Sequence, residues 1–258
     1  MNDSAFDQLF LVSVVTPLFN KVNFIEQCIS SVLAQSYANW EMIIIDDCSC
    51  DGSYEIAQKY SKVDPRIRVE RMVVNSGAGV ARNRAISIAK GQFIAFLDAD
   101  DVWHCNKLKI QLTEMIVRNA AFSHTSYGYL HKKGYIMSKI LRVSSRPVTY
   151  VDLLKRTEIS CLTAMYDVRK IGKVYMPDLP RKQDYATWLD ILSRGHSSHP
   201  VDKVLAWYRQ VPGSNSSNKL SLIVNHYIFL RKLQKLNILN SIRYTTLWIV
   251  NGLLRYYI

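Results

Sequence analysis

Along the first hundred residues, short apolar runs alternate with stretches whose apolar positions recur at helical spacing. Leu11 to Val15 is an apolar run closed by Thr16-Pro17, short enough for a buried strand that the proline ends. Phe24, Ile25, Cys28, Ile29, Val32 and Leu33 then fall three and four apart, predicting a helix within Asn23 to Gln35. Trp40 to Ile45 is a second buried run, ending at Asp46-Asp47, so strand, helix and strand follow one another as a βαβ unit. The alternation continues with a helix over Tyr54 to Tyr60, a strand over Ile67 to Val74 and a helix over Val80 to Lys90 capped by Gly91. A strand over Phe93 to Leu97 then delivers Asp98, Ala99, Asp100 and Asp101. This order predicts the α/β class: a Rossmann-like, mostly parallel sheet flanked by helices, with ligands at the carboxyl ends of its strands.

Beyond Trp103 the pattern is fainter. Lys107 to Asn119 reads as a helix, Ala121 to Tyr129 as a strand, and Thr149 to Lys155, Val168 to Gly172 and Tyr185 to Arg194 as helices. In the last of these Trp188, Leu189 and Leu192 share one face, which assigns Trp188 to the core. From Leu222 onward Ile223, Tyr227, Leu230, Leu233 and Leu236 form a stripe with Arg231, Lys232 and Lys235 beside it, predicting an amphipathic helical extension. The expected organisation is one unit over residues 1–220 and a basic tail over 221–258.

Of the 258 residues 48% are hydrophobic and 21% charged, a balance that supports a packed core and argues against disorder. The first ten residues carry Asp3 and Asp7 and no basic stretch, which reads against a secretory signal and for a cytoplasmic location. The uncharged stretch Tyr244 to Leu254, bounded by Arg243 and Arg255, is too short to span a bilayer. Five cysteines without a CxxC pair favour reduced thiols over a disulfide framework or zinc ribbon. The formal charge of +12 is lopsided: residues 1–101 sum to −4 and 102–258 to +16, with no acidic residue after Asp202. Such a field calls for an anionic partner. No nucleic-acid module or aromatic and basic platform is present, so an anionic substrate and the inner face of the cell membrane are the candidates.

Three acidic spots end apolar runs or open a helix: Asp46-Asp47, Asp98 to Asp101, and Asp184. Carboxylates gathered at strand ends suit a hard divalent cation, and such a cation neutralises a diphosphate. Solvated turn acids are the plainer alternative for any one of the three. Gly77-Ala78-Gly79-Val80-Ala81-Arg82 approaches a dinucleotide fingerprint, but it follows a later strand and has Arg82 where the last glycine belongs. Asp98-Ala99-Asp100 also looks like the aspartate pair of haloacid-dehalogenase-type phosphatases, although that pair belongs on the first strand of its fold.

At these residues the chain resembles the family 2 glycosyltransferases of bacterial surface-polysaccharide assembly. Val12 to Asn20 is similar to the family's opening strand and loop, and Asp46 to Ser53 to its nucleotide-contacting turn. Asn75 to Asn83 resembles the segment before the metal motif, and Phe93 to Asp101 the DxD strand. Arg181 to Leu189 looks like the catalytic-base helix, and Tyr208-Arg209 with Ser214, Ser216 and Ser217 like the closing loop. The arrangement from Tyr150 to Lys219 looks most like teichuronic-acid, capsule and O-antigen sugar transferases.

The resemblance implies a GT-A fold and inverting transfer from a nucleotide sugar, UDP-linked, to a hydroxyl of a glycan on a polyprenyl diphosphate. It implies that Asp47 meets the base, with Pro17, Phe19 and Asn20 lining the same pocket. Asp98 lies by the ribose or sugar and, with Asp100, near a Mn2+ or Mg2+ ion. Arg82 contacts substrate or pairs with a carboxylate of the DxD region, and Arg209 carries diphosphate charge. Asp184 takes the acceptor's proton. The chain departs from the pattern at Cys48 and Cys50, where glycine and a small hydroxyl residue are usual, at Gln183 in place of glutamate, and at Val211, where many relatives carry histidine. Trp103 and His104, just after the acids, are further candidates for the sugar site. A non-catalytic nucleotide-sugar or membrane-binding protein is the alternative from another class.

Overall fold

The computed structural model describes residues 9–210 and 219–257. Four strands, β1 (Val12–Leu18), β2 (Trp40–Asp46), β3 (Ile67–Arg71) and β4 (Phe93–Phe96), form a parallel sheet in the order β3-β2-β1-β4. Their residues alternate between two buried layers. On β1 and β2, Val12, Val14, Met42 and Ile44 face a core shared with Ile25, Ile29 and Val32, whereas Val15, Ile43 and Ile45 face one shared with Ala81, Ala85 and Ile86. Burial on both faces is why these strands read as unbroken apolar runs. The helices that cover them are α1 (Ile25–Leu33), α2 (Ser53–Val63), α3 (Ala78–Ile88) and α4 (Lys107–Val117). Leu18 pairs with Asp46 at the ends of β1 and β2, and Leu97 leaves β4 bonded to Val15, so the three exits share one edge.

Past β4 the sheet becomes mixed. β8 (Met165–Asp167) pairs antiparallel with β4 and with β6 (Phe122–His131). β9 (Ser198–Gln210) runs parallel to β6, and β5 (Val102–Trp103) closes the far edge antiparallel to β9. β7 (Ile136–Leu141) folds back on β6 as a hairpin. Two reversals between β4 and β6 restore the direction of β4, so β6 and β9 also end at the edge where β1, β2 and β4 end. Of these strands the hydrophobic pattern marks only β6. β8 is three residues long, and β9 contains Pro200, Asp202 and Lys203 beside register shifts that let it bend. The remaining helices are α5 (Tyr150–Lys155), α6 (Val168–Ile171), α7 (Gln183–Ser193), α8 (Lys219–Lys232) and α9 (Ile238–Tyr257).

Trp188 on α7 is fully buried between Phe96 and Phe122, with ring centroids 5.2 and 5.1 Å away. Phe229 and Leu230 of α8 join the same core. Among the described residues no helix is long and apolar enough to cross a membrane. The expectation for Gly91 needs correction. α3 stops at Ile88, and Gly91 does not take the left-handed conformation of a cap. A Cβ there would lie 2.7 Å from the Leu11 carbonyl, the Ser13 amide and the Ser13 hydroxyl, so close backbone approach to β1 requires the glycine.

Candidate active site

The shared edge opens into a cleft of about 360 Å³. Pro17, Phe19 and Lys21 enter it from the end of β1, Asp47 from β2, Asn75, Gly77 and Ala78 from the approach to α3, and Arg82 from α3 itself. Asp98, Ala99 and Asp100 complete it after β4. Of the expected residues Pro17, Phe19, Asp47, Arg82, Asp98 and Asp100 therefore meet in one place. Lys21 and Asn75 were not expected there. The available signal for Lys21 was its isolation, because it is the sole basic residue among the first 58.

Asp47 is buried, and its carboxylate oxygens accept the Ser76 and Gly77 amides, each at 2.7 Å. The Asn75 amide group donates to the Asp47 carbonyl at 2.9 Å. One aspartate thus shapes the loop into α3, where Gly77 sits at φ 89°. Each of its oxygens retains a lone pair for a further donor. Cys48 follows at φ 65°, a left-handed geometry that costs a side-chain-bearing residue about 1–2 kcal/mol and suits the glycine usual in the resembled pattern. Asn20, between Phe19 and Lys21, does not itself line the cleft. Its amide donates to the Ser49 hydroxyl at 3.0 Å, and its side-chain oxygen accepts the Cys50 amide at 2.9 Å, which ties the β1 exit to the Asp46–Ser53 turn.

The acidic turn after β4 is held by three cations. Arg82, 7% exposed, donates to Asp98 at 2.5 Å, and Lys21 donates to Asp100 at 2.6 Å. Burial works against the Arg82 charge, but Asp98, Cys161 and Asp184 together outweigh it and lift the guanidinium above its ordinary value. Arg209 lies beneath the turn, away from the cleft: its backbone amide donates to Asp101 at 2.8 Å, its Nε to the Asp100 carbonyl at 2.6 Å and its Nη2 to Gln27 at 2.7 Å. Asp101 is itself buried, and burial followed by the Asp100 and Asp98 charges pushes its carboxyl well above the usual range. Asp98 and Asp100, with side chains 29% and 22% exposed, are the acids offered to solvent.

Asp184 sits in the first turn of α7, which begins after Lys182 in the left-handed conformation. A Cβ on Gly79 would lie 3.2 Å from Gln183 Cγ, so the first turns of α3 and α7 touch and Asp184 comes within the fields of Arg82 and Asp98. Burial raises the Asp184 carboxyl, and Arg82 pulls it back. Cys161, in the 3-10 turn Cys161–Thr163, is buried among the same groups. Desolvation raises its thiol, with Arg82, Asp98 and Asp184 all acting on it. Sequence spacing gave no sign of this neighbour. Trp103 is 3% exposed and donates to the Leu162 carbonyl at 2.8 Å, which makes it core rather than cleft, and the His104 ring packs 5.9 Å from Trp207. Val211, Ser214, Ser216 and Ser217 lie outside the described residues.

Among the described residues no three His, Cys, Asp or Glu side chains gather to hold a metal. A magnesium-type site needs only one or two carboxylates when phosphate oxygens supply the rest, and Asp100 on the cleft wall fits that donor set. Asp98 is committed to Arg82. Lys21 already gives Asp100 a counter-charge, so a divalent cation there would share or displace that ammonium.

Comparison with known proteins adds an independent line. A family model described as "Glycosyl transferase family 2" matches residues 13–170. A Bacillus subtilis (strain 168) protein named for teichuronic acid biosynthesis, glycosyltransferase TuaG, is 43% identical over 231 residues, 90% of this chain and 91% of its own. The Escherichia coli protein WfgD, named UDP-Glc:alpha-D-GlcNAc-diphosphoundecaprenol beta-1,3-glucosyltransferase, is 37% identical over 81% of each chain. Among solved structures, S. aureus TarS 1-349 in complex with UDP-GlcNAc superposes with a TM-score of 0.69 at 19% identity, over 91% of this chain and 70% of that one. A mannosyltransferase from Pyrobaculum calidifontis in complex with GDP-Man and Mn2+ gives 0.61 at 16% identity, over 87% and 63%.

Proposed function

The chain belongs to glycosyl transferase family 2, with the GT-A fold, and on that premise we propose that it moves one sugar from a UDP-linked donor to a hydroxyl of a polyprenyl-diphosphate-linked glycan, with inversion. The observation that carries this reading is the convergence of Asp47, the Arg82–Asp98 pair and the Lys21–Asp100 pair on one cleft, with Asp184 beside them. The substrate classes follow the names of its relatives, a UDP-glucose donor and a diphosphoundecaprenol-linked acceptor for WfgD.

On this reading Asp47 accepts a hydrogen bond from the base, while Pro17 and Phe19 pack against it. Asn20 acts by fixing the turn. Asp98, oriented by Arg82, meets the ribose or the donor sugar. Asp100 would hold Mn2+ or Mg2+, which when bound supplies positive charge to the departing diphosphate. Lys21 and Arg82 add fixed positive charge at the same wall, in a partly water-excluded cleft where it acts most strongly. Arg209 keeps the acidic turn in place through the Asp100 carbonyl. Asp184 accepts the proton of the acceptor hydroxyl as that oxygen bonds to C1 and the C1–diphosphate bond breaks on the opposite face. A single displacement without an enzyme nucleophile inverts the anomeric centre. The phosphatase alternative needs Asp98 as nucleophile on a first strand, whereas this Asp98 follows the fourth strand and is occupied by Arg82.

We assign residues 1–220 to donor binding and catalysis and 221–258 to attachment at the anionic inner face of the cell membrane. The outer side of α9 supports this: Leu239, Ile242, Val250 and Leu253 are each at least 46% exposed along a helix that contains no acidic residue. Calorimetric titration with UDP and GDP, each with and without Mn2+, tests the donor assignment. UDP binding strengthened by Mn2+ is expected. Binding of GDP in preference to UDP, or of neither, would refute it.

A further inference from the structure

A second cavity, of about 300 Å³, lies between the β6–β7 hairpin and the inner side of α9. Tyr127 and Tyr129 enter it from β6, Lys139 from β7, Arg156 from the end of α5, and Trp248 and Gly252 from α9. None of these residues belongs to the cleft already described. The Lys139 ammonium lies 5.5 Å from the Tyr129 ring centre, and Arg156 is braced by the buried Glu158 at 2.6 Å. Trp248 is fixed by a 3.0 Å hydrogen bond from its indole to Thr157. Two cations together with three aromatic rings form the chemistry that receives a phosphorylated sugar: the cations take phosphate oxygens and the rings take the apolar face of the pyranose.

One side of the cavity neighbours the residues that hold the acidic turn. Tyr129 pairs across the sheet with Tyr208, their rings 6.1 Å apart, and the next residue, Arg209, donates to the Asp100 carbonyl. β6 and β5 are separated only by β9, a distance of two strand spacings or roughly 10 Å. On the other side of α9 lie the exposed Leu239, Ile242, Val250 and Leu253, so a chain anchored in lipid would reach the cavity past this helix.

We infer that this cavity binds the diphosphate and first sugar of the lipid-linked acceptor, with Lys139 and Arg156 on the phosphates and the Tyr129 and Trp248 rings on the sugar. The inference rests on the proposed acceptor class and adds its location. Gly252 gives a test, because it lines the cavity and a Cβ there meets nothing within 4 Å, so a Gly252→Trp side chain starts from open space and would occupy the cavity. Three probes are titrated calorimetrically into wild type, Gly252→Trp and Lys139→Gln: a short alkyl diphosphate-linked N-acetylglucosamine, the same sugar as a phosphate-free alkyl glycoside, and phosphatidylglycerol vesicles. UDP serves as the control. Both variants should bind the diphosphate-linked sugar at least about tenfold more weakly, ~1.4 kcal/mol, while UDP binding stays unchanged. Binding of the phosphate-free glycoside should fall in Gly252→Trp but not in Lys139→Gln.

Equal binding of the diphosphate-linked sugar by wild type and Gly252→Trp would overturn the assignment, as would a wild type that binds UDP but not this probe. Displacement of the probe by phosphatidylglycerol vesicles would make the cavity a headgroup site and would also overturn it. Failure of the wild type to bind UDP counts against the donor assignment alone, since the comparison between wild type and Gly252→Trp still decides the cavity.

Discussion

Lys107 occupies an unfavourable place for a cation. It is fully buried at the start of α4, its Nζ has no hydrogen-bond acceptor among the described residues, and the Trp103 ring lies 3.7 Å away. Burial pushes its ammonium well below the ordinary lysine value. The unfolded chain therefore holds this proton over a range where the folded chain has released it, so stability rises with pH across that range. A Lys107→Met variant should be more stable by about 1–3 kcal/mol near neutral pH, with the gain shrinking as pH approaches the ordinary lysine value. Denaturant melts at two pH values would check this, and a less stable variant would assign Lys107 a role beyond packing. Asp47, Asp98 and Asp100 were legible in the sequence because each lies within three residues of the end of an apolar run. The hold of Lys21 and Arg209 on the acidic turn was not legible, because their contacts to it span 79 and 109 residues of chain that only the folded sheet brings together.

Among the elements, the parallel half of the sheet was legible and the mixed half was not. Strands buried on both faces announce themselves as apolar runs, whereas β7 carries Lys139 on an exposed hairpin and β9 crosses from edge to core through a bend. Gly91 illustrates how a correct residue can carry a mistaken reason. Its location after a helix suggested a cap, but what requires it is the β1 backbone 2.7 Å from any Cβ. Gly91→Ala should therefore destabilise the chain by about 1–3 kcal/mol, as overpacking does, and a thermal melt would show it. An unchanged melt would mean that β1 yields there. The α3–α7 contact was equally invisible in sequence, and it is what brings Asp184 to the cleft. Just before α7 the Lys182 ammonium, lowered to about 8 by burial, donates to His226 of α8 at 2.9 Å, joining the start of α7 to the C-terminal extension.

At the scale of the molecule the charge is segregated. The acidic half carries the donor cleft, and the basic half ends in α8 and α9, whose apolar outer residues are left open to solvent. Each basic residue close to an anionic leaflet contributes about 1 kcal/mol, which the six from Lys219 onward make substantial. The chain should sediment with phosphatidylglycerol vesicles but not with neutral phosphatidylcholine ones, and added salt should release it. Equal recovery with both lipids would remove the membrane from the account. The central claim is that Asp184 is the base of a nucleotide-sugar transfer, and the direct measurement is the pH dependence of kcat for wild type and Asp184→Asn with a UDP-sugar and a diphosphate-linked acceptor. Since burial raises the Asp184 carboxyl, wild-type kcat should fall as pH drops through that raised value and protonates the base. The variant should bind UDP as tightly as wild type, turn over about 10²–10⁴-fold more slowly and lose that acid limb. Wild-type turnover by Asp184→Asn, with the acid limb intact, would contradict the account.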